Sequence, residues 1–176
     1  MDIKDMQEDL DWLKQKIWLE HNAESAKKRF VRRGQVYRVD LGTGVGAEIG
    51  KERPCVVLQN DIGNFYSANT VIAPVTSKNS RPLPTIVDVG TLKGSDDAAC
   101  LFGAVNLTQV RAVSKARLGD YITTVPVHIM REVDAALARE LDLMHYFSDA
   151  LTRNETLKAA NDALKQERDA SGRKEG

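Results

Sequence analysis

The chain has 176 residues, 42% of them hydrophobic, enough for one domain with appendages and a core that buries roughly 70% of the unfolded surface. Its 25 basic and 25 acidic residues cancel, which excludes a protein that coats nucleic acid with a whole basic face. No apolar run approaches the ~20 residues that span a bilayer, and the acidic, amphipathic start MDIKDMQEDLDWLK lacks a signal-peptide core, so a cytoplasmic protein with no membrane partner is expected.

The charge balance also holds locally. Residues 1–29 carry six basic and seven acidic groups, residues 30–147 thirteen and twelve, and residues 148–176 six and six. Any nucleic-acid contact must therefore be a local cleft. Residues 5–28 predict a helix: Met6, Leu10, Leu13 and Ile17 recur at helical spacing, Trp18 lies beside the stripe, the first turn is acidic, and Lys27-Lys28-Arg29 closes it. So short a helix needs something to pack on, and a partner helix or the other terminus is the expected surface.

Phe30–Leu41 alternates, with Val36, Arg38 and Asp40 on one face and Tyr37, Val39 and Leu41 on the other, which predicts a half-buried strand. Gly42 to Glu52 has four glycines in nine positions and reads as a mobile loop or a substrate-covering lid. It is not a P-loop, because no Gly-Lys-Ser/Thr leads into an apolar helix, and no GxGxxG opens a helix after a strand. Next come two apolar runs, Cys55–Leu58 and Val71–Val75, on either side of a polar turn Asp61–Asn69 rich in Asn and Gly. This pattern predicts a β-hairpin. Antiparallel pairing brings its outer ends together, so that Arg53 before Pro54 meets the Thr76-Ser77-Lys78 step at one sheet edge.

Pro82–Val89 and Ala98–Leu107 predict two further strands separated by a turn at Gly90–Asp97, and Thr108–Ser114 alternates again before a turn at Lys115–Asp120 and a short extended piece at Tyr121–Val125. From Val127 to about Phe147 the spacing becomes helical, and residues 148–176 continue as a polar helix with Leu151, Leu157 and Leu164 before the charged tail DASGRKEG, which should fray. Six or seven short strands followed by a helix predict a mainly β, α+β domain: an antiparallel, partly closed barrel at 30–147 with helical extensions at 1–29 and 148–176. Cys55 and Cys100 fall in apolar runs and read as buried free thiols. His21, His128 and His145 lie in predicted helices without metal-ligand spacing and read as surface or packing residues, so no metal or other cofactor is implied.

Several stretches together resemble the MazF/PemK/Kid type II toxins, ribosome-independent mRNA endoribonucleases. They are RRGQVYRVDL, GKERPCVVLQNDIGN, TVIAPVTSK, LPTIVDV and NLTQVRAVSKARLG, in that order, over roughly Arg33 to Leu143. The resemblance implies a twisted SH3-like, PemK-type barrel with a C-terminal helix, a homodimer, and a groove for single-stranded RNA. It also implies a cognate antitoxin, with DNA bound only through that antitoxin. Residue by residue, Arg53 matches the arginine of the family's Arg-Pro step, Thr76 the threonine closing its third strand, Glu48 the acidic residue of the preceding loop, and Gln109 and Arg111 its polar segment. Ala47 replaces a serine that many relatives carry.

Cleavage without a metal turns the RNA 2′-hydroxyl on its own phosphate, and positive charge must meet the phosphorane. Arg53 suits that role by its planar fork, and the resemblance adds proton transfer to it; Thr76 would hold a phosphate oxygen or the attacking group. The bland alternatives are an exposed ion pair of Arg53 with Glu48 or Glu52, and an ordinary strand-end threonine. Glu48, Asn60, Ser77, Lys78, Gln109 and Arg111 are the expected substrate-binding residues, with Phe65 and Tyr66 near them for stacking. The alternative function is a CcdB-like, gyrase-poisoning binding module on the same fold, whose work is done by C-terminal residues. The Arg-Pro and Thr-Ser steps favour the nuclease.

Overall fold

The computed structural model describes residues 2–76, 83–94 and 99–172. Ser77, Lys78, part of the expected Gly90–Asp97 turn and the end of the charged tail lie outside the described residues. The chain divides into two compact units, Met1–Leu137 and Ala138–Gly176.

In the first unit, helix α1 (Ile3–Ala26) precedes strands β1 (Gln35–Asp40), β2 (Glu52–Val57), β3 (Asn69–Thr76), β4 (Ile86–Lys93), β5 (Ala99–Asn106), β6 (Arg111–Ser114) and β7 (Leu118–Thr124). Their order across the sheet is β4-β5-β3-β2-β1-β7, β6 pairs with β3, and all pairs are antiparallel. Strand β3 serves three partners in turn: its start pairs with β6, its middle with β2 and its end with β5. The sheet curls far enough for Thr123 Oγ1 on β7 to donate to the Lys93 carbonyl on β4 at 2.8 Å. The result is the mainly β half-barrel that the run of short strands predicts.

Two apolar clusters explain the strand pattern. Val36, Val56, Ala73, Val75, Val105 and Val133 belong to one, which helix α3 (Val127–Glu140) covers with Met130, Val133 and Ala136. Val31, Tyr37, Val39, Cys55, Val57, Ile72 and Leu118 form the other, on the opposite face. Strand β1 lies between β2 and β7, so Val36 and Val39 are both fully buried, Arg38 is exposed, and the end residues Gln35 and Asp40 are half-buried. The expected half-buried strand is thus covered on both faces.

Four other expectations are corrected. The polar turn of the central hairpin holds a one-turn helix, α2 (Asp61–Tyr66), capped by Asn60, whose side chain accepts from the Gly63 N–H at 2.7 Å. Strand β4 runs on to Lys93 through a bulge at Gly90, whose N–H donates to Asp88 Oδ1 at 2.9 Å. Leu107–Gln109 is a 3₁₀ turn, because Asn106 Oδ1 caps it by accepting from Thr108 N at 3.1 Å and Thr108 Oγ1 at 2.8 Å. Cys55 is buried, but Cys100 is exposed, since the alternation of β5 turns Leu101 into the core and Cys100 and Phe102 outward.

Helix α1 lies in the first unit with Leu19 buried and Trp12 half-buried. Its stripe of Met6, Leu10, Leu13 and Ile17 faces solvent, as does Trp18. The opposite, mixed face packs along the 3₁₀ turn Lys115–Arg117. In the second unit, α3 ends where Asp142 turns left-handed (φ 52°), with Asp142 N donating to Arg139 O at 3.1 Å and Leu143 N to Ala138 O at 2.8 Å. The single helix expected over 127–147 is therefore broken, and α4 (Met144–Gly172) starts afresh. No helix among the described residues is long and apolar enough to cross a membrane.

Candidate active site at the open end of a hairpin

The recorded pairs of β2 and β3 are Cys55↔Pro74, Val56↔Ala73 and Val57↔Ile72. The ladder ends there, and the same register continued by two residues would set Arg53 of β2 opposite Thr76 of β3. Opposed residues share a face, and Arg53 also pairs with Val39, which in turn pairs with Leu118. Arg53 and Thr76 therefore lie on the face of the second apolar cluster, at its rim, where the core gives way to solvent. The two strand ends that carry Arg53 and Thr76 lie at the same end of the β2–β3 pair.

Thr76 is half-buried, and its Oγ1 donates to the Ala104 carbonyl at 3.5 Å. It pairs with Ala104 of β5, next to Gly103, where a Cβ would sit 2.3 Å from the Thr76 carbonyl oxygen. With φ +128° and no room for a side chain, Gly103 lets β5 close on the strand end that presents Thr76.

Arg53 is exposed, and its Nε donates to the Gly50 carbonyl at 3.1 Å. Neither acidic neighbour neutralises it. Glu52 pairs with Arg38 at 3.6 Å, and Glu48 accepts from the Val45 N–H at 3.1 Å. The terminal nitrogens of Arg53 have no partner among the described residues.

The Gly42–Glu52 loop is pinned rather than free. Leu41 N donates to Lys51 O at 3.1 Å and Lys51 N to Gly42 O at 2.7 Å, closing its base. From the far side, Gln109 Oε1 accepts from the Ile49 N–H at 3.2 Å, while Arg111 Nη2 donates to the Ile49 carbonyl at 2.7 Å. The Ile49 side chain packs on the second cluster. Gln109 and Arg111 thus clasp the residue next to Glu48. Arg111 stands opposite Ile72, on the same face as Arg53. Cys55 lies beneath: burial pushes its thiol up to about 12, against the pull of the Arg111 and Arg53 charges. It remains a protonated thiol at neutral pH, remote from proton transfer.

Asn60 does not join this group. It caps α2 at the turn end, seven residues along the hairpin and roughly 20 Å from Arg53 at the rise of an extended strand. Phe65 and Tyr66 sit there too, exposed and edge to face with centroids 4.9 Å apart. Ser77 and Lys78 lie outside the described residues. His21, His128 and His145 are exposed on α1, α3 and α4, and no group of three or more His, Cys, Asp or Glu among the described residues is placed to hold a metal ion. Pattern reading misses Gly103, and the Ile49 clasp, because both depend on which strands become neighbours. The only sequence signal for either is a glycine inside an apolar run.

The profile of the PemK-like, MazF-like toxins of type II toxin–antitoxin systems matches residues 32–141. The chain belongs to that family. It is 37% identical over 117 residues to the endoribonuclease EndoA of Bacillus subtilis, covering 66% of this chain and 98% of that one. An endoribonuclease from a mycobacterial species, solved in complex with its cognate antitoxin, superposes with a TM-score of 0.54 at 33% identity, over 64% of this chain and 96% of that one. A second mycobacterial endoribonuclease gives 0.50 and 31%, over 65% and 93%. MazF from Deinococcus radiodurans gives 0.53 at 23%, over 65% and 98%, a likeness of fold. Helices α1 and α4 lie outside the family match.

Proposed function

We propose that this toxin is a cytoplasmic endoribonuclease that cuts single-stranded mRNA at selected sites without a metal, with Arg53 and Thr76 at the centre of the reaction. The β2–β3 register, which continued two residues past Cys55↔Pro74 would set Arg53 opposite Thr76 on one face, supports the reading. The attacking 2′-oxygen forms a bond to phosphorus as the P–O5′ bond breaks, leaving a 2′,3′-cyclic phosphate and a 5′-hydroxyl. The 2′-hydroxyl proton passes to solvent water and solvent water returns one to the departing 5′-oxygen, so the step is neutral in protons. Charge on the phosphate grows in the transition state, so a guanidinium without a carboxylate partner stabilises it more than the substrate. Thr76 supplies a hydroxyl to a phosphate oxygen.

Glu48 and Arg111, held around Ile49, and Gln109, through its amide nitrogen, line the approach of the flanking nucleotides. Ser77 and Lys78, which follow Thr76 in the chain, are proposed as substrate-binding residues on their sequence position alone. Asn60 would meet RNA only several nucleotides away from the cut. We assign the activity to residues 30–147, acting as a homodimer, with helical extensions at 1–29 and 148–176. The mycobacterial relative solved with its cognate antitoxin supports an antitoxin as protein partner for this chain as well.

The test is incubation of the purified protein with a long RNA in EDTA, followed by mapping of the cut ends. Cuts at a recurring short motif, bearing 2′,3′-cyclic phosphate and 5′-hydroxyl, are the expected result. Intact RNA, or cutting that depends on added metal and leaves 3′-hydroxyl ends, overturns the reading.

A further inference from the structure

We propose that Trp12, on the N-terminal helix outside the family match, is a positioning residue for Arg53; the assignment rests on the RNA-cleaving reading of the site. The indole Nε1 of Trp12 lies 2.9 Å from the point that a Cβ on Gly42 would occupy, with Arg117 Nη1 3.6 Å from the same point. Gly42 has φ +71°. The chain turns at that corner, and the ring closes on it, because no side chain is there.

From Gly42 the contact runs straight to the catalytic guanidinium. The Gly42 N–H donates to Asp40 Oδ1 at 3.0 Å, and Asp40 is itself fixed by Arg117, at 3.1 Å to its carbonyl and 3.6 Å to its carboxylate. Across the loop, a Cβ on Gly50 would come within 2.8 Å of the Gly42 carbonyl oxygen, so the two backbones touch. The Gly50 carbonyl then receives Arg53 Nε at 3.1 Å. Gln109 and Arg111 brace the loop on one side through Ile49, and Trp12 braces it on the other.

The charges beside Trp12 argue that α1 supports the loop and does not itself bind RNA. A cleft of about 500 Å³ separates α1 from the β1–β2 hairpin, lined among others by Asp11, Asp40, Lys51 and Glu52. Each carboxylate already has a cation, Asp11 with Lys14 at 3.2 Å, Asp40 with Arg117 and Glu52 with Arg38 at 3.6 Å. Helix α1 lines the cleft with Asp11, Trp12 and Gln15, none of them a cation that could hold a phosphate chain. Trp12 therefore acts through the loop, and its effect belongs in kcat.

The experiment compares the full-length protein with Trp12→Ala, Trp12→Phe and Trp18→Ala, the last a solvent-facing ring on the same helix, using a short RNA in EDTA. Trp12→Ala should lower kcat ~10-fold while KM stays within about 2-fold, the signature of a reacting group displaced without loss of ground-state binding. Trp12→Phe, which keeps a ring over Gly42, should restore most of the rate, and Trp18→Ala should not alter it. Hydrogen exchange at the Leu41 and Lys51 amides, which close the loop base, should quicken in Trp12→Ala alone. Unchanged kcat in Trp12→Ala, a raised kcat, a loss confined to KM, or failure of the phenylalanine to rescue overturns the assignment and leaves the active site standing. A wild-type protein that leaves RNA intact overturns the site's reading and this assignment with it.

Discussion

The two ends of the β2–β3 hairpin are built from similar polar residues and do opposite things with them. At the turn end the fold consumes its polar groups. Asn64, 1% exposed, donates from Nδ2 to the Gln59 carbonyl at 2.9 Å, accepts from Thr70 Oγ1 at 2.7 Å, and offers its carbonyl to Lys115 Nζ. Burial lowers the pKa of that lysine. Asn60 caps the helix, and Asp61 accepts from the Arg33 N–H at 2.7 Å. At the open end, Arg53 uses one nitrogen on the Gly50 carbonyl, and Thr76 makes one long contact. Buried polar groups that are fully paired define a fold, and a cation left over on a rigid edge is available to a ligand.

The largest expected effect breaks the comparison at the open end. Arg53→Ala should lower cleavage by ~10³-fold, the cost of removing a group aimed at transition-state charge. Because the side chain is exposed, its loss should move the unfolding free energy by less than ~0.5 kcal/mol. A variant that still cuts RNA at the wild-type rate removes Arg53 from the chemistry. Next in size is the mirror experiment at the turn end. Asn64→Leu leaves Thr70 and the Gln59 carbonyl without their buried partners and should cost about 3 kcal/mol in urea unfolding. Its kcat, measured where the protein is folded, should match the wild type.

A third substitution, Gln109→Ala, frees the Ile49 N–H and loosens the loop from one side only. Cleavage should fall roughly 10-fold, as expected of a displaced neighbour of the reacting groups, with a small change in melting temperature. A change in melting temperature without one in rate would move Gln109 from the site to the scaffold.

How much of this was legible in the sequence follows from the kind of contact involved. The hairpin was, because its two apolar runs and punctuating turn fix the strand ends by local pattern, and the runs pair as Cys55↔Pro74, Val56↔Ala73 and Val57↔Ile72. The strand-then-helix order likewise predicted a half-barrel. What stayed hidden was tertiary. Nothing in Phe30–Leu41 reveals that both faces of β1 are covered, since that depends on α3 and on the loop that brings Ile49 across. Cys100 reads as a core residue until its neighbours Leu101 and Phe102 show which way the strand faces. Helix α1 carries its apolar stripe outward and touches the domain with a mixed face, a contact that periodicity does not reveal.

The smallest effect sharpens the comparison most, because it concerns a candidate site residue that pattern and geometry read differently. By its sequence position Asn60 is a base-reading candidate, and by its contacts it is a helix cap. A cap deletion costs about 1 kcal/mol, so Asn60→Ala should lower the urea midpoint by that amount and leave cleavage of a short RNA centred on the scissile phosphate unchanged. Asp61, which accepts from Arg33, should hold the segment in place well enough for the rate to be compared. If the short RNA is cut at least 10-fold more slowly, the strand must bend back along the hairpin to reach the turn, and polar groups at both ends then serve the substrate. If only longer RNAs are cut more slowly, Asn60 reads a distal base while its backbone still starts the helix. An unchanged rate on every length confines recognition to the end where the cation stands.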